Sequence, residues 1–258
     1  MAGMLRWSHE RGVAVLALNR PERLNSLCLE LLDAIEVRLT AAEAADDVYA
    51  VLIVAEGRHF CTGADLGEVS ARRTDRDRLA EFIARGHEVL LRLEGCPLPV
   101  VAAVQGYCLA GGLELMMAAD VVLAAEDARI GCQHARYGLV PGWGGTQRLA
   151  RLVGLRRALE LMYSARWLEA DEARSWGLVN DVVPAAVLHK HALELASKLS
   201  GRSRTGLAAM KRLAREGLDL PLQDALALER ERVVDVLLDG DAAEGLAAFR
   251  ERREPRFG

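Results

Sequence analysis

None of the five cysteines, Cys28, Cys61, Cys96, Cys108 and Cys132, forms a CxxC pair, and no histidine lies at zinc-like spacing beside them. The sequence therefore offers neither a disulfide framework nor a structural metal site. It also lacks an apolar run of the roughly 18 residues needed to span a bilayer, and residues 1–11 carry no apolar stretch of the kind a secretory signal needs. No block of like charge reads as a nucleic-acid-binding tail, and a formal net charge of -4 disfavours a polyanionic partner. These absences predict a protein of the reducing cytoplasm, with no membrane and no nucleic-acid partner.

What is present is ordinary globular material. At 258 residues, 51% hydrophobic and 27% charged, the chain can bury a sizeable core as one large α/β domain or two small ones. Residues 5–9 and 13–18 run apolar on either side of Arg11-Gly12, which predicts a β-hairpin. Leu31, Ile35, Leu39 and Ala42 recur at helical spacing, and the β-branched run 51–54 with a Gly57 turn follows. The unit repeats as a helix over about 78–93, a break at Pro97 and Pro99, a strand over 100–104, a helix over 111–119 and a strand over 121–124. After Pro141 the pattern is mostly helical: 145–151, 156–164, 170–176, 186–199, 205–216, 222–238 and 242–253. A division near residue 200 separates an α/β core, 1–200, from a helical part, 201–258. No low-complexity linker marks it, so the two parts are expected to pack together.

Two junctions send an apolar strand into a loop of small residues that opens a helix. One ends Phe60-Cys61-Thr62-Gly63-Ala64-Asp65-Leu66, and the other passes through Gly106-Tyr107-Cys108-Leu109-Ala110-Gly111-Gly112-Leu113-Glu114. Small residues let a ligand approach the backbone, a helix start offers unpaired N–H groups, and two such donors are what a developing oxyanion requires. The loops are not nucleotide-binding motifs. A P-loop needs Gly-Lys-Ser/Thr where Gly111 is followed by Gly112 and Leu113, and a dinucleotide fingerprint over Gly142 and Gly144 needs glycine where Gln147 stands. Glu114 lies in the apolar stretch Leu113-Glu114-Leu115-Met116-Met117, where a carboxylate is costly without a partner or a task. Cys61 and Cys108 flank the loops without a histidine in either motif, which favours packing over nucleophilic chemistry.

At these residues the chain resembles the enoyl-CoA hydratase/isomerase (crotonase) superfamily. The likeness extends over Asn19-Arg20-Pro21, Leu24-Asn25-Ser26-Leu27, the two loops, the run Gly138-Leu139-Val140-Pro141-Gly142-Trp143-Gly144-Gly145-Thr146-Gln147-Arg148-Leu149, Ala170-Asp171-Glu172-Ala173, Trp176-Gly177-Leu178-Val179 and the segment from Glu244-Gly245 to Phe257. It implies an α/β fold of the ClpP/crotonase-like kind, a spiral of repeated ββα units followed by a helical C-terminal region that assembles trimers or hexamers. It implies an oxyanion hole from the backbone N–H groups of Ala64 and Gly111 around an acyl-CoA thioester. Glu114 matches one of two catalytic glutamates. Arg23, Leu24, Asp65 and Leu66 stand where similar proteins hold the adenine and pantetheine, and Arg252 stands where a basic residue reaches the CoA phosphates, unless it is one of a solvated face with Arg250 and Arg253.

The second family glutamate falls at His134, a departure that puts simple hydration in question. His134 is either a base in its own right or a filler beside Gln133 and Arg136. Trp143, in the turn that starts at Gly142, is bulky where similar sequences often have something small. It either narrows the acyl pocket or packs in the core or a subunit interface. The leading expectation is enoyl-CoA hydratase or related lyase and isomerase chemistry through a stabilised enolate, with no metal and no cofactor beyond coenzyme A in the substrate. The alternatives are an isomerase, racemase, decarboxylase or thioester hydrolase that uses His134, or a non-catalytic acyl-CoA-binding protein.

Overall fold

The computed structural model describes residues 3–257. Strands β1 (Leu5–Glu10) and β2 (Val13–Leu18) form the antiparallel hairpin, with Leu5 opposite Leu18 and Glu10 opposite Val13. Arg11 and Gly12 both take positive φ, 52° and 75°, the two-residue turn whose twist suits a hairpin. After helix α1 (Leu29–Ala44) comes β3 (Ala50–Ala55), then α2 (Leu66–Arg72) and α3 (Arg76–Glu94). Next come β4 (Val100–Val104), β5 (Tyr107–Leu109), α4 (Gly111–Met117), β6 (Val121–Ala125) and β7 (Arg129–Gly131). Helices α5 (Gly145–Val153) and α6 (Leu155–Ser164), strand β8 (Leu168–Glu169), α7 (Ala170–Ser175), β9 (Asp181–Val183) and α8 (Leu188–Leu199) follow. Helices α9 (Arg204–Gly217), α10 (Leu222–Leu237) and α11 (Gly240–Glu251) end the chain's regular structure.

The larger sheet has six strands in the order β1-β2-β3-β4-β6-β9, parallel except for the hairpin. Its central strands are apolar on both faces, as a sheet covered on both sides requires. The side chains sort by the two-residue period into two cores. Ala14, Leu16, Val51, Ile53, Ala102 and Ala124 face α1, α3 and α4, whereas Val13, Val15, Leu52, Val101, Ala103 and Leu123 face α8 through Leu188, Ala192, Leu193 and Ala196.

The second sheet, β5-β7-β8, is continued toward the N-terminus by single bridges from Cys108 to Cys61 and from Ala64 to Leu27. Each pass of the chain therefore adds one strand to the large sheet and one step to the small ladder, which is the spiral the resemblance implied. Helices α9 to α11 bury little, only Ala209 and Ala248 among their described residues. Helix α9 is tied to the core by Lys211 and Arg215, whose side chains meet Asp120 at 2.7 and 2.8 Å.

Two differences from the sequence reading have simple causes. Helix α3 starts earlier than expected because Asp75 caps it, its carboxylate accepting from the N–H groups of Asp77 and Arg78 at 3.1 Å. Strands β5, β7, β8 and β9, together with a 3-10 turn at Gln133–Tyr137, add to the elements expected from the sequence, because segments this short show no periodicity. Among the described residues, no helix is long and apolar enough to cross a membrane, and no cluster of histidine, cysteine or acidic side chains is placed to hold a metal.

Candidate active site

The small ladder brings the two glycine-bearing loops into contact. Gly63 has φ 110°, and a Cβ there would sit 3.0 Å from both Ala110 Cβ and Gly111 N, while one at Gly112 would overlap the Cys61 carbonyl. Side chains are excluded where the two backbones touch. Ala110 adopts φ 51° and ψ −118°, a conformation costing on the order of 1–3 kcal/mol for a residue with a side chain. It is held there by its N–H on Gly131 O at 2.9 Å and by Glu114 N–H on its own carbonyl at 3.0 Å. This turn delivers Gly111 as the first residue of α4. Among the described residues, neither Ala64 N–H nor Gly111 N–H donates a hydrogen bond. Two free donors thus stand on adjoining loops, the arrangement that accommodates an oxyanion.

Three residues further along α4, Glu114 is only 2% exposed. Its Oε1 accepts from the backbone N–H groups of Trp143 at 2.8 Å and Gly145 at 2.7 Å, where α5 begins. Oε2 accepts no hydrogen bond from the described residues. Burial pushes the carboxyl up to about 7, against the opposing pull of those two N–H groups and the Arg148 charge. A carboxyl poised near neutrality can both take and return a proton at physiological pH.

The loop that clamps Glu114 is itself braced. Arg148 donates to the Trp143 carbonyl at 2.6 Å and forks onto Glu94 of α3 at 2.8 and 2.6 Å, and a Cβ at Gly144, where φ is 95°, would overlap its guanidinium. Arg215 of α9 also reaches Glu94, at 3.3 Å. Arg148 lies inside the motif that carried the resemblance, yet its role was not legible because its partner is 54 positions away in the sequence. Trp143 is fully enclosed: its ring packs edge-on against Phe82, with centroids 5.4 Å apart, and lies against Gly86 and Gly111. Gly142 stays half-buried beside Ile83.

His134 sits in the 3-10 turn after β7. Its N–H binds the Cys132 carbonyl at 2.6 Å and its Nδ1 lies 3.4 Å from Cys132 Sγ. Burial holds the imidazole below its ordinary pKa, so it is neutral at pH 7. Burial drives the Cys132 thiol up to about 11, with the Glu114 charge adding to the rise, which links this pair electrostatically to Glu114. Cys61 and Cys108 are buried with thiols raised by burial, Cys61 to about 12, and are inert packing groups.

The residues expected at the coenzyme end form a rim beside Ala64. Leu24, in a left-handed conformation at φ 52°, accepts from Thr62 N–H at 3.2 Å. Arg23 and Leu66 are exposed. The Asp65 carboxylate caps α2 through Gly67 N–H at 2.9 Å and pairs with Arg20 at 2.9 Å. Burial would raise its pKa, but Arg20 and the cap outweigh burial and lower it. Its side chain is thus committed to structure, as is its backbone N–H, which donates to Leu27 O at 2.8 Å. Asn25, fully buried, donates to Glu56 O and His59 O and accepts from Arg20 N–H, so this motif residue staples the loop. Arg252 lies at the end of α11 and shares no hydrogen bond or ion pair with these groups.

Comparison with known proteins places these features in a family. The sequence pattern of the family described as "Enoyl-CoA hydratase/isomerase" matches residues 8–258. The chain is 36% identical to the 2,3-dehydroadipyl-CoA hydratase of Escherichia coli K12, over 97% of this chain and 96% of that one. It is also 36% identical to the short-chain-enoyl-CoA hydratase of Clostridium acetobutylicum, over 95% and 94%. Among solved structures, an enoyl-CoA hydratase from Polaromonas sp. JS666 superposes with a TM-score of 0.96 at 33% identity, covering 99% of this chain and 100% of that one.

Proposed function

Because the chain belongs to the enoyl-CoA hydratase/isomerase family, we propose that it hydrates a conjugated enoyl-CoA thioester, with coenzyme A entering as part of the substrate and no further cofactor. The observation that carries this reading is the pair of unpaired backbone donors, Ala64 and Gly111, beside a buried carboxyl that titrates near neutrality. The thioester oxygen accepts from both N–H groups, which stabilise it as it gains charge in the enolate. Glu114, ionised, takes a proton from water as the water oxygen bonds to the β carbon. It then returns that proton to the α carbon as the enolate collapses, which regenerates the carboxylate and leaves water added across the alkene.

His134 stands where the resemblance places a second glutamate. Its neutral ring, engaged by Cys132 through Nδ1, leaves Nε2 to orient the attacking water. Arg23, Leu24 and the backbones of Asp65 and Leu66 form the rim that receives the adenine and pantetheine. Arg252 reaches the phosphates of a site on a neighbouring copy, in a trimer or hexamer assembled through α10 and α11. The direct test is loss of the conjugated-thioester absorbance when the protein is mixed with crotonyl-CoA. Binding without turnover across a panel of enoyl thioesters would instead identify an acyl-CoA-binding protein.

A second reading is favoured by one observation, that an imidazole and not a carboxylate sits at the second position. In that reading His134 is the base of another reaction on the bound thioester: isomerisation, racemisation, decarboxylation or hydrolysis.

A further inference from the structure

Helix α3 carries a glycine, Gly86, in the interior of its 19 residues, where glycine is a poor helix former. The caps of the helix lie elsewhere, at Asp75 and Gly95; what explains the glycine is Trp143, because a Cβ on Gly86 would overlap the indole nitrogen and its neighbouring ring carbons. The opposite edge of the same ring lies against Gly111, where an added Cβ would come within 2.8 and 2.9 Å of two indole carbons. The indole therefore spans from α3 to the first residue of α4, filling the gap between the two helices beside the proposed oxyanion donor. Its backbone N–H meanwhile holds Glu114. The ring nitrogen donates to nothing among the described residues, so shape and not a hydrogen bond fixes the ring.

We infer that Trp143, admitted by Gly86, is the closed end of the acyl cavity and restricts the enzyme to short-chain thioesters. The inference rests on the reading of Gly111 and Glu114 as the reacting end of the site. An acyl chain whose carbonyl is bound at Gly111 and whose β carbon lies at Glu114 has the indole as its neighbour between α3 and α4, so additional methylenes collide with a side chain that has no room to move.

The experiment measures binding and turnover separately, in wild type and in Trp143→Ala and Trp143→Phe checked by thermal melting. Binding is measured with the unreactive thioesters butyryl-CoA and decanoyl-CoA, and turnover with crotonyl-CoA and decenoyl-CoA. The expected result is that wild type prefers the short thioester, and that Trp143→Ala shifts the ratio of dissociation constants toward decanoyl-CoA by on the order of tenfold or more, with Trp143→Phe between them. Equal preference in wild type, or a ratio within twofold of wild type in whichever variants fold, would overturn the inference. Absence of hydration with the binding shift intact would sink the hydratase reading and leave this one standing.

Discussion

Burying a carboxyl among apolar side chains favours its protonated form, and Glu114 shows the effect in a measurable way. A rise from the ordinary 4.5 to about 7 corresponds to roughly 3 kcal/mol between the two protonation states. Because the folded protein holds this proton more tightly than the unfolded chain, its contribution to stability is complete below about pH 4.5 and is lost as pH rises through about 7. Glu114→Gln, which keeps an acceptor for Trp143 and Gly145, is expected to flatten that decline and to be the more stable protein at pH 8 in denaturant titrations. Parallel pH profiles would contradict it. The same variant is expected to lose on the order of 10²- to 10⁴-fold in turnover while butyryl-CoA binding stays nearly unchanged. At the neighbouring position, His134→Glu is expected to raise crotonyl-CoA hydration above that of His134→Ala and of wild type by about one power of ten or more. Equal rates in the three proteins would remove this residue from the chemistry.

At the scale of elements, the loop that clamps Glu114 is held by contacts among α3, α5 and α9. Arg148 of α5 links the Trp143 carbonyl to Glu94 of α3, and Arg215 of α9 joins the same carboxylate. Arg148→Met is expected to lower kcat on the order of 10- to 100-fold with a smaller effect on KM, by loosening the two N–H groups on Glu114. The pH–rate limb assigned to Glu114 should also move upward, because a positive charge that opposes its rise is gone. Arg148→Lys, which keeps the charge, is expected to leave that limb in place; the same limb shift in both variants would argue against this account. The long apolar strands and amphipathic helices were legible in the sequence because each satisfies its own period. The small sheet was not: its strands run two or three residues, and their meaning lies in bridges such as Cys61 to Cys108, between residues 47 positions apart in the numbering. Likewise the two small-residue loops and Glu114 stand out locally, and the resemblance assigns Ala64 and Gly111 their roles, whereas Gly86 and Arg148 act through distant partners that no local pattern announces.

Over the whole molecule, the C-terminal helices leave large apolar side chains in solvent, including Leu222, Leu238 and Phe249, each more than 70% exposed. Covering these side chains is what the proposed assembly would do, and closed symmetry is the usual form of such assemblies. Light scattering at micromolar concentration is expected to give three or six times the mass of one chain, and Phe249→Glu with Leu238→Glu is expected to shift the distribution toward monomer. A wild-type monomer would reject the assembly. Helix α8 has a different consequence, one that concerns time. It covers the outer face of strands β2, β3, β4 and β6, and its end is fastened to the first turn of the chain by Ser197 and Ser200, whose hydroxyls meet Arg11 O at 3.4 Å. On the ribosome each turn of the spiral can settle on its predecessor as it emerges, but Val13, Leu52, Val101 and Leu123 wait uncovered until residues near 200 have been made. The nascent chain thus carries a growing greasy strip for most of its synthesis, and a chain stalled before Leu188 is expected to be captured by chaperones or to aggregate, whereas one released after Leu199 is expected to remain in solution in a pelleting assay.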